Sequence, residues 1–191
     1  MIMQPNCFQT GRVLGTGNAE IEVRTYALTP VGASLALGLV DSIELRLGAG
    51  RIGVPLAACV SMNRPGGVSP PWYVSEGASA ELLFPHDRLS VVGFRLSGLG
   101  SVGFYPSPQF GLYLPGVASV IYAKPYTARD SVYFEGLIGG SVTPGLGLSY
   151  EYENVSVRLA GNVPISVSGS KGMLAQVPYL GLQFGYRFRG Y

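Results

Sequence analysis

Hydrophobic and polar residues alternate along most of the chain with a period of two. In residues 18–28, Ile21 and Val23 fall on one side of the pattern, while Glu20 and Glu22 fall on the other. Because successive side chains of a β-strand point to opposite faces, this alternation predicts a strand. Turn residues interrupt the pattern repeatedly, and the alternation then resumes. The sequence therefore predicts a series of strands joined by turns.

Ten strands are predicted in this way. They cover residues 18–28, 31–39, 42–49, 74–84, 88–98, 110–122, 130–140, 146–152 and 155–161, with a closing strand that begins at 179. Eight strands are the alternative, because short neighbours can merge and an assigned strand can be irregular. Residues 1–16 are predicted to be an N-terminal arm and residues 17–191 one β-barrel domain. Residues 50–73, rich in proline and glycine, are predicted to form a long loop.

The composition supports strands and changes the expected surroundings. Charged residues make up 13% of the chain, and the mean hydropathy is +0.30. Soluble domains carry about 25% charged residues. The longest uncharged run, residues 96–123, contains three prolines and does not read as a membrane-spanning helix. The net charge of +2 gives no indication of nucleic-acid binding.

No cofactor or metal is expected. The chain has one histidine and two cysteines, Cys7 and Cys59, which do not have the spacing of a zinc site. The two cysteines could pair in an oxidising compartment, or they could be two separate small residues. His86 lies in a predicted turn beside Asp87, where a solvated turn residue is expected rather than a catalytic base. The protein is therefore expected not to be an enzyme.

Half of the charged residues fall within predicted strands, on the face opposite the apolar residues. These residues are Glu20, Glu22, Arg24, Glu44, Arg46, Glu81, Arg95, Glu135, Glu151, Arg158, Arg187 and Arg189. In a soluble barrel or sandwich this face would meet water, whereas in a membrane barrel it would line the lumen. The face contains Glu, Arg, Gly and Ser but no Lys, which favours a confined interior. An arginine turned outward at the membrane midplane would cost about 2–4 kcal/mol.

The lengths of the predicted connections give a second indication. Counted from the N-terminus, even-numbered and odd-numbered connections between the predicted strands lie at opposite ends of the barrel. The even-numbered connections are residues 40–41, 85–87, 124–129 and 153–154, and three of them are very short. The odd-numbered connections include the three longest, which are residues 50–73, the region around 105–108 between strands 88–98 and 110–122, and residues 162–176. Short turns at one end and long loops at the other are typical of outer-membrane barrels.

Three segments resemble small bacterial outer-membrane β-barrel proteins. Gly17–Val23 (GNAEIEV) resembles their first strand, and Gly38–Leu47 (GLVDSIELRL) resembles their tight periplasmic hairpins. The closing segment YLGLQFGYRF resembles their C-terminal signal for insertion by the outer-membrane assembly machinery. The resemblance implies an all-β, antiparallel, up-and-down transmembrane β-barrel located in the bacterial outer membrane. The opening MIMQPNC has neither a basic n-region nor an apolar h-region, so we do not identify an export signal there.

The preferred functional hypothesis is a non-enzymatic outer-membrane barrel with a structural, small-solute pore or membrane-complex role. Because unpaired buried charges are costly, the interior ions are expected to pair, which favours a plugged lumen over a narrow channel. The expected partners are outer-membrane lipid, the assembly machinery and a protein that binds loop 50–73. The first alternative is a soluble or periplasmic barrel that binds an apolar ligand inside. The second is a barrel-embedded lipid-modifying enzyme, which the scarcity of histidine disfavours.

Overall fold

The structure is a computed structural model, in which residues 12–26, 29–40, 43–51, 56–85, 91–125, 137–168 and 178–189 are described. Eleven β-strands are present in these ranges. Their bounds are β1 Ala19–Tyr26, β2 Thr29–Val40, β3 Ile43–Arg51, β4 Leu56–Ser69, β5 Trp72–Phe84, β6 Val91–Phe104, β7 Phe110–Pro125, β8 Leu137–Tyr152, β9 Val155–Asn162, β10 Ile165–Ser168 and β11 Tyr179–Phe188. No helix in the described part of the chain is long and apolar enough to cross a membrane.

The strands close into a single barrel. Each strand from β1 to β8 pairs antiparallel with the next one in sequence, and β1 also pairs with β11. β11 pairs with β9, and β9 pairs with the C-terminal half of β8. β10 pairs with the N-terminal half of β8. β9 and β10 therefore count as one interrupted strand of the barrel wall. The predicted antiparallel, up-and-down barrel of ten strands is therefore confirmed.

The predicted long loop at residues 50–73 is wrong, because most of it is strand β4. Its proline and glycine residues resemble a turn, yet β4 pairs with β3 as far as Asn63 and with β5 along its whole length. Pro65 lies beyond the end of β3, where a missing backbone N–H leaves no partner unpaired. A β-bulge between Pro65 and Gly67 absorbs the irregularity. A protein partner at residues 50–73 stays a prediction.

A second correction concerns residues 143–145, which were predicted to form a turn between two strands. They lie within β8, which runs without a break from Leu137 to Tyr152. Pro144 coincides with the interval between β9 and β10 and accepts a hydrogen bond from the N–H of Val163. The proline is thus tolerated inside the strand because the neighbouring strand is interrupted at the same height.

The two corrections change the ends at which several connections lie. Residues 41–42, 70–71, 105–109 and 153–154 join strands at the end that holds Asn18 and Phe188. We call this end the terminal mouth. The segments 85–87 and 124–129 were predicted to lie at this end but follow strands that end at the opposite one. The segment 105–108 was predicted at the opposite end but lies at the terminal mouth. The intervals between strands at the terminal mouth span two to five residues, whereas those at the opposite end range from two residues, at 27–28, to eleven, at 126–136. The long intervals thus share one end, but the short ones occur at both.

Most of the large apolar side chains point outward from the barrel, although a few, such as Leu99 and Ile121, are buried on its inner face. Large hydrophobic residues exposed on its outer face include Ile21, Val23, Leu47, Val60, Met62, Leu82, Phe84, Phe94, Leu96, Val102, Leu112, Leu114, Val120, Leu148, Phe184 and Tyr186. Leu96 is 54% exposed and Phe184 46% exposed, whereas Arg95 is 4% exposed and Arg158 5% exposed. The barrel thus has an apolar exterior and a charged interior.

Candidate functional site

The candidate site is the set of charged side chains on the inner face of the barrel. Among the predicted lumen residues, eight are buried: Glu20, Glu22, Arg24, Glu44, Arg46, Glu81, Arg95 and Arg158. Glu151 and Arg187 are partly buried near the terminal mouth. Arg189 was predicted to lie in the closing strand, but it follows the end of β11 and is exposed. Glu135 lies outside the described residues. The burial of these groups fits a lumen lining, which stays a prediction.

Seven of these side chains form a continuous chain of ion pairs, which we call the ion chain. Its members, in order of contact, are Glu44, Arg46, Glu22, Arg158, Glu20, Arg187 and Glu151. Arg46 is 2.9 Å from Glu44 and contacts Glu22 on its other side. Arg158 is 2.6 Å from Glu22 and 3.0 Å from Glu20. Each arginine of the ion chain thus lies between two carboxylates, which offsets the cost of burying the charges.

The strand register explains why these residues meet. Glu20 on β1 lies opposite Arg187 on β11, at the seam where the first strand pairs with the last. Gly185 lies beside them, and a Cβ atom at this position would overlap the carboxylate of Glu20. A glycine therefore leaves the space in which this carboxylate lies between two arginines.

Uncharged donors complete the coordination of the carboxylates. Ser34 donates a hydrogen bond to Glu22 at 2.7 Å, and Ser156 donates one to Glu20 at 2.6 Å. Asn63 donates to Glu44 at 3.1 Å. These three residues were not predicted as part of the site. The alternating pattern places them on the inner face, but it does not distinguish them from the other small polar residues there.

The opposite part of the inner wall is different. It has the separate ion pair between Glu81 and Arg95, which face each other on β5 and β6 with a nitrogen–oxygen distance of 3.2 Å. Six serines lie side by side in register across neighbouring strands: Ser61, Ser79, Ser97, Ser119, Ser141 and Ser166. Ser97 and Ser119 are hydrogen-bonded to each other at 2.9 Å. The interior thus has an ionic wall and a hydroxyl-rich wall.

A cavity of about 540 Å³ lies at the terminal mouth. Its lining includes Glu20, Glu44 and Arg158 of the ion chain, together with Arg189 at the rim and Arg12 of the N-terminal arm. Cations and carboxylates are both present, so the cavity does not select one sign of charge. Among the described residues, no group of three or more His, Cys, Asp or Glu side chains could hold a metal ion.

Cys59 is buried on the inner face of β4 and is disulfide-bonded. The sequence has one other cysteine, Cys7, which lies outside the described residues, as does His86. A disulfide bond is typical of proteins that mature in an oxidising compartment.

Comparison with known proteins gives a remote likeness to other barrels. No family model and no curated protein matches the chain. The N-terminal β-barrel domain of Pseudomonas aeruginosa OprF is 17% identical, with a TM-score of 0.43, and the match covers 92% of this chain and all of that domain. A KdgM porin is 10% identical, with a TM-score of 0.41, and the match covers 91% of this chain and 99% of the porin. At these scores the likeness carries no argument, and the assignment of the barrel depends on its own strand pairing.

Proposed function

We propose that the protein is a non-enzymatic, integral β-barrel of the bacterial outer membrane whose ion-paired interior keeps the lumen plugged. The observation that supports this proposal is the combination of an apolar exterior with a buried ion chain. Soluble monomers rarely expose apolar patches larger than a few hundred Å². The exposed residues here extend around the barrel, as expected for a surface in contact with lipid.

Aromatic residues at both ends of the exterior support the same orientation. Near the terminal mouth, Trp72 packs on Phe104, and Tyr186 packs on Phe188. Near the other end, Phe94 packs on Tyr122 with ring centroids 5.6 Å apart. Membrane barrels carry aromatic girdles at the two lipid–water interfaces.

Not every tyrosine near a strand end belongs to these girdles. Tyr105 and Tyr113 are buried inside the barrel, whereas Tyr122, Tyr150 and Tyr152 are exposed. Tyr126 lies outside the described residues.

The alternative of an apolar-ligand carrier requires the apolar face to be inside. The described interior contains the ion chain and the serine row, and most large hydrophobic side chains are outside, although Leu83, Leu99 and Ile121 are buried on the inner face. That arrangement gives an apolar ligand little apolar interior surface, which favours the membrane barrel over this alternative.

The plugged state is proposed because every member of the ion chain has an opposite charge within 4.0 Å. Paired and hydrogen-bonded ions hold each other in place and do not present a free charged surface to a passing solute. Lipid is the proposed partner of the exterior. The assembly machinery is the proposed partner of the closing strand, β11.

The membrane assignment is tested by detergent dependence. Purified protein is expected to stay monodisperse above the critical micelle concentration and to aggregate when detergent is removed, because the exterior would then meet water. Size-exclusion chromatography with light scattering measures this. A monodisperse protein in plain buffer would contradict the assignment.

The plugged state is tested by conductance across planar bilayers. The wild-type protein is expected to show no steady current. Glu81→Gln is expected to produce brief openings, because Arg95 would lose its carboxylate partner and would draw water into the interior. Glu76→Gln is the matched control, since it removes the acid of an exposed pair with Arg64. A steady wild-type current would support a narrow channel instead.

A further inference from the structure

The end of the N-terminal arm lies across the terminal mouth. We call residues 12–18 the mouth segment. The N–H of Gly17 donates to the carbonyl oxygen of Gly38 at 3.0 Å, and the N–H of Leu14 donates to the Glu44 carboxylate at 2.9 Å. A Cβ atom on Gly38 would overlap the carbonyl oxygen of Gly15, so a glycine on β2 allows this close approach. The mouth segment is therefore joined to the ion chain through Glu44.

Arg12 anchors the far end of the mouth segment. Its guanidinium carbon lies 4.9 Å from the ring centroid of Tyr73 and 4.6 Å from that of Tyr105. It donates a hydrogen bond to the carbonyl oxygen of Pro108 at 3.0 Å and lies 3.8 Å from the Glu151 carboxylate. Two aromatic faces, a carbonyl oxygen and a carboxylate thus surround one planar cation.

This combination of groups is suited to a guanidinium. A guanidinium stacks on aromatic rings and donates hydrogen bonds in its own plane, whereas an ammonium is a compact and strongly hydrated charge. Tyr105 is buried, and burial raises the pKa of its hydroxyl, so the ring stays neutral and attracts the cation through its π face. The two rings also contact each other edge to face, with centroids 5.2 Å apart.

All four surrounding groups belong to the barrel and none to the mouth segment. Tyr73 lies on β5, Tyr105 and Pro108 lie in the connection from β6 to β7, and Glu151 lies on β8. Glu151 is also held by Arg187 at 3.5 Å. Tyr73 and Glu151 thus lie in strands, and the backbone N–H of Tyr105 donates to the carbonyl oxygen of Pro71 at 2.8 Å, so these three groups have anchors other than Arg12.

We propose that Tyr73, Tyr105, Glu151 and the Pro108 carbonyl form a guanidinium-binding site whose internal occupant is Arg12. A guanidinium group in trans, from a small guanidine or from an arginine of another protein, competes with Arg12 and releases the mouth segment. The site does not depend on the membrane location of the barrel, so it stands or fails separately from the proposed function.

Because Arg12 competes with an added guanidinium for the site, the wild-type protein requires a higher ligand concentration than a variant without Arg12. A short tether gives an internal ligand an effective concentration on the order of millimolar or more. Free methylguanidinium is therefore expected to bind the wild-type protein at least about tenfold more weakly than it binds Arg12→Ala. Arg12 lies outside the strands, so this substitution leaves the barrel pairing intact.

The first experiment is a titration of methylguanidinium into detergent-solubilised wild-type protein and Arg12→Ala, followed by NMR. Methylammonium is the control cation and is expected to bind neither form measurably. Tyr73→Leu in the Arg12→Ala background is expected to weaken binding about threefold to thirtyfold, because one aromatic face is lost. Tyr186→Leu, at an exposed tyrosine at the same end of the barrel, is the matched control and is expected to change nothing.

The second experiment measures hydrogen exchange at the backbone amide of Leu14. Exchange is expected to be about tenfold or more faster in Arg12→Ala than in the wild-type protein, because the mouth segment loses its anchor. Methylguanidinium is expected to have the same effect on the wild-type protein. Unchanged exchange at Leu14, or equal binding of methylguanidinium and methylammonium, would overturn the proposal.

The source of the guanidinium is distinguished by a third arm. A blocked arginine-containing peptide is compared with methylguanidinium on Arg12→Ala. Peptide binding at least about tenfold tighter would assign the site to an arginine of a protein, and equal binding would assign it to a small guanidine. Failure of both ligands to bind would reject the site while leaving the detergent-dependent barrel untouched.

Discussion

Arg158→Met is expected to lower the free energy of unfolding by about 3–5 kcal/mol. Arg158 is buried and pairs with Glu20 and Glu22 at the centre of the ion chain. Methionine fills a similar volume but leaves Glu20 and Glu22 each with only one of the two arginines that pair with it. The loss is therefore dominated by uncompensated buried charge and not by a cavity.

Urea unfolding in lipid vesicles, followed by the fluorescence of Trp72, measures this loss, since Trp72 is the single tryptophan of the chain. Arg64→Met is the matched control. Arg64 pairs with Glu76 at 2.6 Å, but both side chains are more than half exposed, so a change below about 1 kcal/mol is expected. Adding Glu22→Gln to Arg158→Met is expected to restore part of the stability. Equal losses in the two arginine variants would contradict the ion chain.

Leu96→Arg is expected to lower the free energy of unfolding in a bilayer by about 2–4 kcal/mol. Leu96 lies near the middle of β6 and is exposed on the apolar exterior. An arginine there would have to enter hydrocarbon or draw water and lipid headgroups toward the midplane. Its neighbour Arg95 has the same side chain at almost the same height, but it points to the interior.

The matched control is Val68→Arg. Val68 is also exposed, but it lies near the end of β4 beside the connection to β5, where an arginine reaches the interface. A change of about 0–1 kcal/mol is expected there. The same vesicle assay measures both variants. If Leu96→Arg were as harmless as Val68→Arg, the exterior would not be in lipid.

The alternating pattern was sufficient to predict the strands and the two faces, because side-chain direction in a strand depends only on sequence parity. It failed at β4, where residues 63–67 combine asparagine, proline and glycine. Local propensity predicts a turn there. The strand continues because it stays paired with β5, and Pro65 is tolerated because β3 has already ended on its other side. Both conditions depend on pairing with other strands, which the local sequence does not reveal.

The predicted strand number was correct through two errors that compensate. Missing β4 removed one strand, and dividing β8 at Pro144 added one. Between these two positions every connection was assigned to the wrong end of the barrel. Predicting the number of strands from the sequence is therefore less reliable than predicting which face each residue lies on. Each missed strand reverses the predicted direction of all the strands that follow it.

The charged residues of the site were predicted, but their partners were not. Glu22 and Arg158 are 136 positions apart in sequence, and they meet only because closure brings β9 and β11 beside β1. The alternating pattern predicts which face of the sheet a residue lies on, but it does not predict which residues of other strands lie next to it. Arg12 had no periodic signal, because it lies in the arm before the first strand.

The ion chain crosses the seam between the first and last strands of the barrel. Glu20 and Glu22 come from β1, whereas Arg158 and Arg187 come from the C-terminal hairpin of β9 and β11. An unclosed sheet would leave Glu20 without the two arginines that pair with it, and it would leave Arg158 and Arg187 with Glu151 as their remaining carboxylate. The attraction between the carboxylates of β1 and these arginines would draw the two ends of the sheet together, while the cost of exposing either set to hydrocarbon would oppose deep insertion beforehand. The pairing of Glu20 and Glu22 with Arg158 and Arg187 thus happens only when the two ends of the sheet join.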